Sequence, residues 1–476
     1  MRNDWSGRGF PHPPRRPIAG DIGTLSARRP LQAVMAASEG LGPIFEVKAF
    51  RQKFVFVVGA EIAAELCDEA RFAKALPPAL EALREFAGQG LFTAYNDETN
   101  WQLAHDLLMP AFSKAAMRGY HATMVATLQE LLDDWDARPG PHDVSADMTK
   151  LTMETISRTA FSHDFGSFTQ VEVHPFVPAM VSALTTARRK GAFQSMPFSG
   201  RLMRRLDAKN APHLAYVEAM LDGLVEERRA SGDDGQHDLL GIMLNQAHPV
   251  TGERLDDRNI RDQVVTFLVA GHETTSGALS FALFYLSRHP DVLRQARAET
   301  DSILGPDPEA VPTFEQVAKL RYLRRVLDES LRLWPTAPAF ARSPRVATRI
   351  GDGVPMRPED WAVILLPQVH RDPAVWGDDA GEFDPDRFLP DRSRRRIPHS
   401  YKPFGTGERA CIGRQFALHE AILVLARLVH RYDFAGDPAY QLLVSERLTM
   451  QPEGFELSVT RRRATRRVPT PSASRG

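Results

Sequence analysis

Cysteine is scarce in this chain of 476 residues: there are two, Cys67 and Cys411. Two thiols cannot build a disulfide framework, and thiols that persist imply a reducing compartment, so a cytoplasmic protein is expected. A charge excess is missing as well, since 59 Lys and Arg stand against 60 Asp and Glu. A chain that gained affinity by neutralising phosphates would carry a strong positive bias, so nucleic acid is not an expected partner. Residues Met1 to Gly20 are rich in Arg and Pro and contain no apolar block. They lack the charged-then-apolar plan of a signal peptide, and no membrane anchor is expected. The most apolar span, Val264 to Leu286, carries His272, Glu273 and two threonines near its centre, where burial in lipid would be costly. It reads as a buried helix of a soluble protein. No internal repeat is visible.

What is present is enough apolar material, 43% of residues, to bury a large core around a cofactor. Ile44 to Lys48, Lys53 to Val58 and Trp361 to Leu366 have the β-rich character of strands in a small sheet. Helical spacing dominates elsewhere: Trp101 to Phe112, Met117 to Trp135, Ala211 to Arg229, Asn259 to Arg288, Pro290 to Leu304, Phe314 to Leu333 and Arg414 to His430. The expected fold is mainly α with a smaller β portion. As one continuous helix, Asn259 to Arg288 would run about 45 Å, enough to cross a domain. Polar residues in the middle of such a helix usually have something to bind.

The most specific pattern is Phe404-Gly405-Thr406-Gly407-Glu408-Arg409-Ala410-Cys411-Ile412-Gly413, followed at once by a helical run. A buried cysteine is ordinarily packing. Here the glycines permit a tight loop against a flat ligand, Gly413 lets backbone N–H groups approach the sulfur, and the helix beyond turns its positive end toward a thiolate. Cys67 has no such surroundings and reads as packing. A second constellation, Ala270-Gly271-His272-Glu273-Thr274-Thr275, puts Thr274 one turn after Ala270, where its hydroxyl can compete for that carbonyl and open the helix into a groove.

These motifs resemble those of cytochrome P-450 enzymes, whose haem loop reads Phe-Gly-x-Gly-x-Arg-x-Cys-x-Gly and whose oxygen-activation motif reads Ala/Gly-Gly-x-Asp/Glu-Thr-Thr. The resemblance implies the P-450 fold, with a long central helix over a buried haem b held by the Cys411 thiolate. It implies Thr274 as hydrogen-bond donor to bound oxygen and Glu273 as proton relay from solvent, with His272 structural or solvent-facing rather than an iron ligand. Phe404, Arg409, Gly413 and Ala270 would border the haem. Trp101 and His105 share a helix face, and the resemblance places Trp101, Lys74 and Arg409 at the haem propionates. Glu329 and Arg332, three apart on one helical face, would join Arg387 in a buried network that is structural.

The similarity runs from Gly42 to Phe455 and is closest to the haem domain of bacterial self-sufficient fatty-acid hydroxylases, which are fused to a diflavin reductase. Phe86 to Phe92, Leu331 to Phe340 and Ala410 to Glu420 carry it. It implies a substrate wall of Leu80, Ala87, Phe92, Leu184, Val269, Ala337 and Leu448, all apolar, suited to an alkyl chain presented near but not at its end. Those hydroxylases hold the fatty-acid carboxylate with an arginine and a tyrosine, and Gln52 and Phe56 stand in their places. Arg51, Lys53 or Arg447 could substitute; with no anchor, neutral or bulkier substrates become an alternative.

No flavin or nicotinamide site is legible, so FAD, FMN and NADPH are expected only through a reductase, fused and removed or separate. Residues 1–459 are expected to form the haem domain and 460–476 a tail or the start of an interdomain linker. Arg392 and Arg394 to Arg396 could meet an acidic flavin domain, although a solvated loop is the favoured explanation. Two rivals are a peroxide-driven enzyme, which would not need the Glu273 and Thr274 pair, and a non-catalytic haem sensor or carrier, which would not need an apolar tunnel.

Overall fold

The computed structural model describes residues 9–463 apart from 18–19, 22, 24–25, 27, 51, 171, 194–198 and 233–237, so Arg51 and the tail from 464 onward lie outside the described residues. The helix Asp257–Arg288 is continuous and buried along most of its length. Its Asp256 side chain caps it by accepting the Asn259 N–H, the expected device for the free donors of a first turn. Against it lies Val144–Phe161, a helix buried on nearly every side. Its threonines return their hydroxyls to carbonyls of the preceding turn, as Thr155 does to Leu151 at 2.9 Å. A helix buried all round has no amphipathic period, and that is why its sequence does not announce it.

The two helices approach closely because Gly271 has no side chain: a Cβ there would sit 2.6 Å from Ile156 Cγ1. Thr152 Oγ1 adds a cross-link to the His272 carbonyl at 2.9 Å. The helix Arg414–Arg431 completes the layer, with its central residues buried.

The three expected strand segments are present, as Ile44–Ala49, Gln52–Val57 and Ala362–Leu365. They belong to a five-stranded sheet that continues through Ala339–Pro344 to Phe72–Ala75. Only the Gln52–Val57 and Ala362–Leu365 pair is parallel; the other pairings are antiparallel. The last pairing sets Lys74 directly opposite Arg342. A short hairpin, Val444–Glu446 with Met450–Pro452, lies beside the long helix, where a Cβ on Gly277 would meet the Met450 carbonyl at 2.7 Å. The strand Glu456–Arg461 pairs with Tyr432–Gly436, so Thr460 and Arg461 are part of a sheet.

Two expected helices differ from those observed. Phe314 to Leu333 is split into Phe314–Val317 and Arg321–Leu333, because the short first piece ends in turns at Lys319 and Leu320. The helix expected from Ala211 begins at Ser199 and passes through Pro212, which costs it one backbone hydrogen bond without ending it.

Glu329, Arg332 and Arg387 meet as a buried network. Arg332 donates Nε to Glu329 Oε2 at 2.6 Å and Nη2 to Oε1 at 2.7 Å, and Arg387 Nε lies 3.5 Å from the same carboxylate. Arg332 spends its other donors on the carbonyls of His370, Ala380 and Glu382, at 2.8, 2.6 and 2.9 Å. His370 Nε2 in turn accepts the Lys402 N–H at 3.0 Å, at the entrance to the cysteine loop. Replacing Arg332 by Met strands the Glu329 charge, and a loss of about 3–5 kcal/mol is expected in urea unfolding. A loss under about 1 kcal/mol, the usual range of exposed pairs, would show that the network does not bear on stability.

Candidate active site

Between Lys402 and Gly413 the chain folds back on itself. Gly405 and Gly407 take φ of +70° and +68°, which a side chain would strain, and a Cβ on Gly407 would overlap the Glu69 carboxylate. The Cys411 N–H closes the loop on the Phe404 carbonyl at 2.9 Å. Burial pushes the Cys411 thiol up, while a backbone hydrogen bond from Gly413 and the charge of Arg414 pull it down. The side chain lies deep in the protein and is nonetheless open on one face. The long helix has a matching opening: Ala270 is exposed and Thr274 partly so, in a stretch that is otherwise buried.

Thr274 Oγ1 donates to the Ala270 carbonyl at 2.9 Å. The expected local opening of the helix is absent, because that carbonyl takes the hydroxyl without interruption of the helix. Any groove therefore comes from small side chains. His272 is buried and structural, its Nδ1 2.5 Å from the Leu268 carbonyl, and burial holds its pKa down to about 4. Glu273 is buried with both carboxyl oxygens lacking a hydrogen-bond partner. Burial raises its pKa to about 7, against the pull of Arg447 and Thr449. The Glu273 carboxyl thus has no direct opening to solvent; of the two hairpin residues that act on it, Arg447 is exposed and Thr449 buried.

Lys74, Trp101, Arg342 and Arg409 line one cavity of about 270 Å³. The Arg409 guanidinium stacks on Trp101, 3.9 Å from the ring centre, and donates Nη2 to the Tyr95 carbonyl at 2.8 Å. His105 stacks on the same indole at 4.9 Å, one layer further out. Lys74 donates to the Phe92 carbonyl. Arg342 escaped the sequence reading, because its link to Lys74 is a cross-strand register and not a motif.

A family model described as cytochrome P-450 matches residues 11–459. The chain belongs to the cytochrome P-450 family. Among similar proteins are two bifunctional cytochrome P-450/NADPH P-450 reductases. That of Bacillus cereus is 43% identical over 466 residues, covering 97% of this chain and 43% of the relative. Reductase 1 of Bacillus subtilis is 43% identical over 457 residues, covering 95% and 42%. A self-sufficient cytochrome P-450 monooxygenase of Penicillium freii is 39% identical over 459 residues, covering 95% and 43%. The chain thus spans less than half the length of these relatives. The expected fold class holds, as does haem with a cysteine thiolate as the family's cofactor.

The residues present fit that group. Arg409 Nη1 and Arg342 Nε are buried without a partner, so the cation cluster holds unused donors for an anionic edge. Lys74 points the same way: burial, then Arg409 and Arg342, lower its pKa to about 7, and a neighbouring anion would restore its charge. The open faces of Cys411, Ala270 and Thr274 suit a flat ring, with Cys411 as the residue that would hold the iron.

The residues assigned to the substrate wall are less uniform. Ala87, Leu184 and Val269 are buried in the main apolar cluster, and Leu80 and Leu448 pack against it. Phe92 and Ala337 are exposed. The long helix clamps the Phe86 to Phe92 segment: Asp262 accepts the Gln89 N–H at 2.8 Å and Gln263 the Leu91 N–H at 2.9 Å. Phe56 stacks on Phe45 at 5.6 Å in the core of the sheet, and Lys53 is ion-paired with Glu46 at 2.9 Å.

Glu273 makes a pH-dependent difference to stability. With a folded pKa of about 7 against an ordinary 4.5, the native state keeps this proton longer than the unfolded chain. The burial penalty is therefore absent below pH 4.5 and grows until pH passes 7. Relative to the native chain, E273Q should gain at most about 3 kcal/mol over that interval. Urea midpoints measured across it provide the check, and parallel pH dependences in the two proteins would rule the ionisation out as the cause.

Proposed function

We propose that this chain, with haem on Cys411, inserts one oxygen atom of O2 into an unactivated C–H bond of a medium- to long-chain fatty acid, at a carbon near but not at the chain end. The observation that carries the reading is the exposed Ala270 and Thr274 face in the middle of a buried helix, next to an apolar cluster that holds Ala87, Leu184 and Val269. An apolar lining beside a polar hydroxyl favours an alkyl chain held against an oxygen-activating centre. When bound, haem supplies the iron at which O2 is activated by two electrons.

The protein's own residues position and protonate. Thr274 holds its hydroxyl on the Ala270 carbonyl at 2.9 Å, from which rotation about χ1 would free it to donate toward the open face of the helix. Glu273, with a pKa of about 7, is divided between acid and carboxylate near neutrality, which suits a group that takes up and releases protons. Its supply runs from the surface past Arg447 and Thr449. Val269 and Leu184 exclude water from the chain being oxidised, and Phe92 and Ala337 border the opening.

Electrons are proposed to come from NADPH through FAD and FMN of a diflavin reductase, fused or separate, in line with the names of the relatives. Its contact surface does not follow from the basic cluster alone. Arg392 is paired with Asp384 at 3.1 Å, and Arg394 pairs with Asp391. Arg396 lies over the Trp376 and Phe388 rings at 4.4 and 4.6 Å. Among the described residues no helix is long and apolar enough to cross a membrane.

Titrating the ferric holoprotein with saturated fatty acids and the matching alcohols tests the substrate. Saturable spin-state shifts with acids, and much weaker ones with alcohols, are expected. Equal response to both, or to neither, would remove the fatty-acid assignment and leave a monooxygenase of neutral or bulkier substrates.

A further inference from the structure

Arg188 lies on the helix Phe176–Phe193, one turn beyond the buried Leu184 and on the same face. Its Nε is buried and has no hydrogen-bond partner, and no acceptor for its guanidinium is found among the described residues. A guanidinium cannot shed its charge to escape this position. Desolvation lowers its pKa; the charge of Glu446 acts in the opposite sense, and Arg189 adds to the lowering.

Glu446 does not satisfy it by hydrogen bonding. Its carboxylate is spent on the first turn of the helix Pro30–Ala37, accepting the Leu31 N–H at 2.9 Å, the Gln32 N–H at 2.8 Å and Gln32 Nε2 at 2.9 Å. Arg188 as a whole is half-buried, and a guanidinium whose Nε is cut off from water without an acceptor is placed to take one from outside the chain.

The surroundings indicate which kind. Further along the same helix, a Cβ on Gly191 would lie 2.6 Å from Ala79 Cα, which brings the helix end against the backbone next to Leu80. Glu446 belongs to the hairpin whose turn carries Leu448. Leu80, Leu184 and Leu448, all assigned to the substrate wall, therefore come from the elements that surround Arg188. Of the substitutes offered by the sequence, Lys53 is committed to Glu46, Arg447 is exposed, and Arg51 lies outside the described residues.

We propose that Arg188 is the residue that anchors the substrate carboxylate, taking over the task that Gln52 and Phe56 cannot perform. The inference rests on the fatty-acid reading above. A bidentate guanidinium–carboxylate contact at the margin of an apolar wall fixes one end of the chain, so the carbon presented for oxidation is set by distance from Arg188.

The test uses holoprotein, with calorimetric affinities for dodecanoate and dodecan-1-ol in the native chain, R188Q and R188K. R188Q is expected to weaken dodecanoate about tenfold or more, the usual scale for a lost hydrogen bond to a charged group. Dodecan-1-ol should be unaffected, and R188K should recover part of the acid affinity. If the native chain prefers the acid and R188Q keeps that preference, Arg188 is not the anchor while the fatty-acid reading stands. If R188Q loses acid and alcohol alike, Arg188 is a packing residue and the proposal fails. If the native chain does not distinguish acid from alcohol, the fatty-acid reading and the anchor fall together.

Discussion

A guanidinium with no access to water, that of Arg332, determines where the cysteine loop begins. Its donors reach Glu329 and three backbone carbonyls from the segment 370–382, and the imidazole of one of those residues, His370, receives the Lys402 N–H. A charge this deeply buried is tolerated only while all its hydrogen bonds are made, so the segments that supply the acceptors have little freedom to shift. The fold thereby delivers Cys411 to a defined place relative to the long helix. The pair that begins as an ordinary i, i+3 spacing on one helix ends as a brace across chain segments far apart in sequence.

The long helix answers a different constraint. It must pack tightly along most of its length and still offer an open face in the middle. Gly271 and Gly277 meet the first demand by letting Ile156 and the Met450 backbone approach, and Ala270 and Thr274 meet the second. Asp262 and Gln263 on the same helix hold the Phe86 to Phe92 segment by its backbone. One element therefore sets the relative position of the residues proposed to handle oxygen, the proposed pocket wall and the neighbouring helix. Glu273 follows from the same geometry: its side chain lies about 100° round the helix from that of the partly exposed Thr274, on a buried side, and burial raises its pKa to about 7.

Much of this was legible before any coordinates. The cysteine loop and the Ala270 to Thr275 motif are contiguous, so each can be read as a string. The strands and most long helices follow from local periodicity. Reading failed where burial removed periodicity, as in Val144–Phe161, and at a helix start, since the helix expected from Ala211 begins at Ser199. It failed also for the local opening of the helix at Thr274, since a hydroxyl that is able to displace a helical bond need not do so.

The sequence by itself determined the family, and it singled out the residues proposed as thiolate ligand and for handling oxygen, because these depend on residue types at short, fixed spacing. Only the tertiary structure decided which charges lack partners. Arg342 joins Lys74 through strand pairing, Arg188 lies beside Leu184 but out of bonding reach of an occupied Glu446, and Glu273 loses contact with solvent. Each of these depends on what fills the space around a side chain. That is settled by segments hundreds of residues apart, and no local pattern records it.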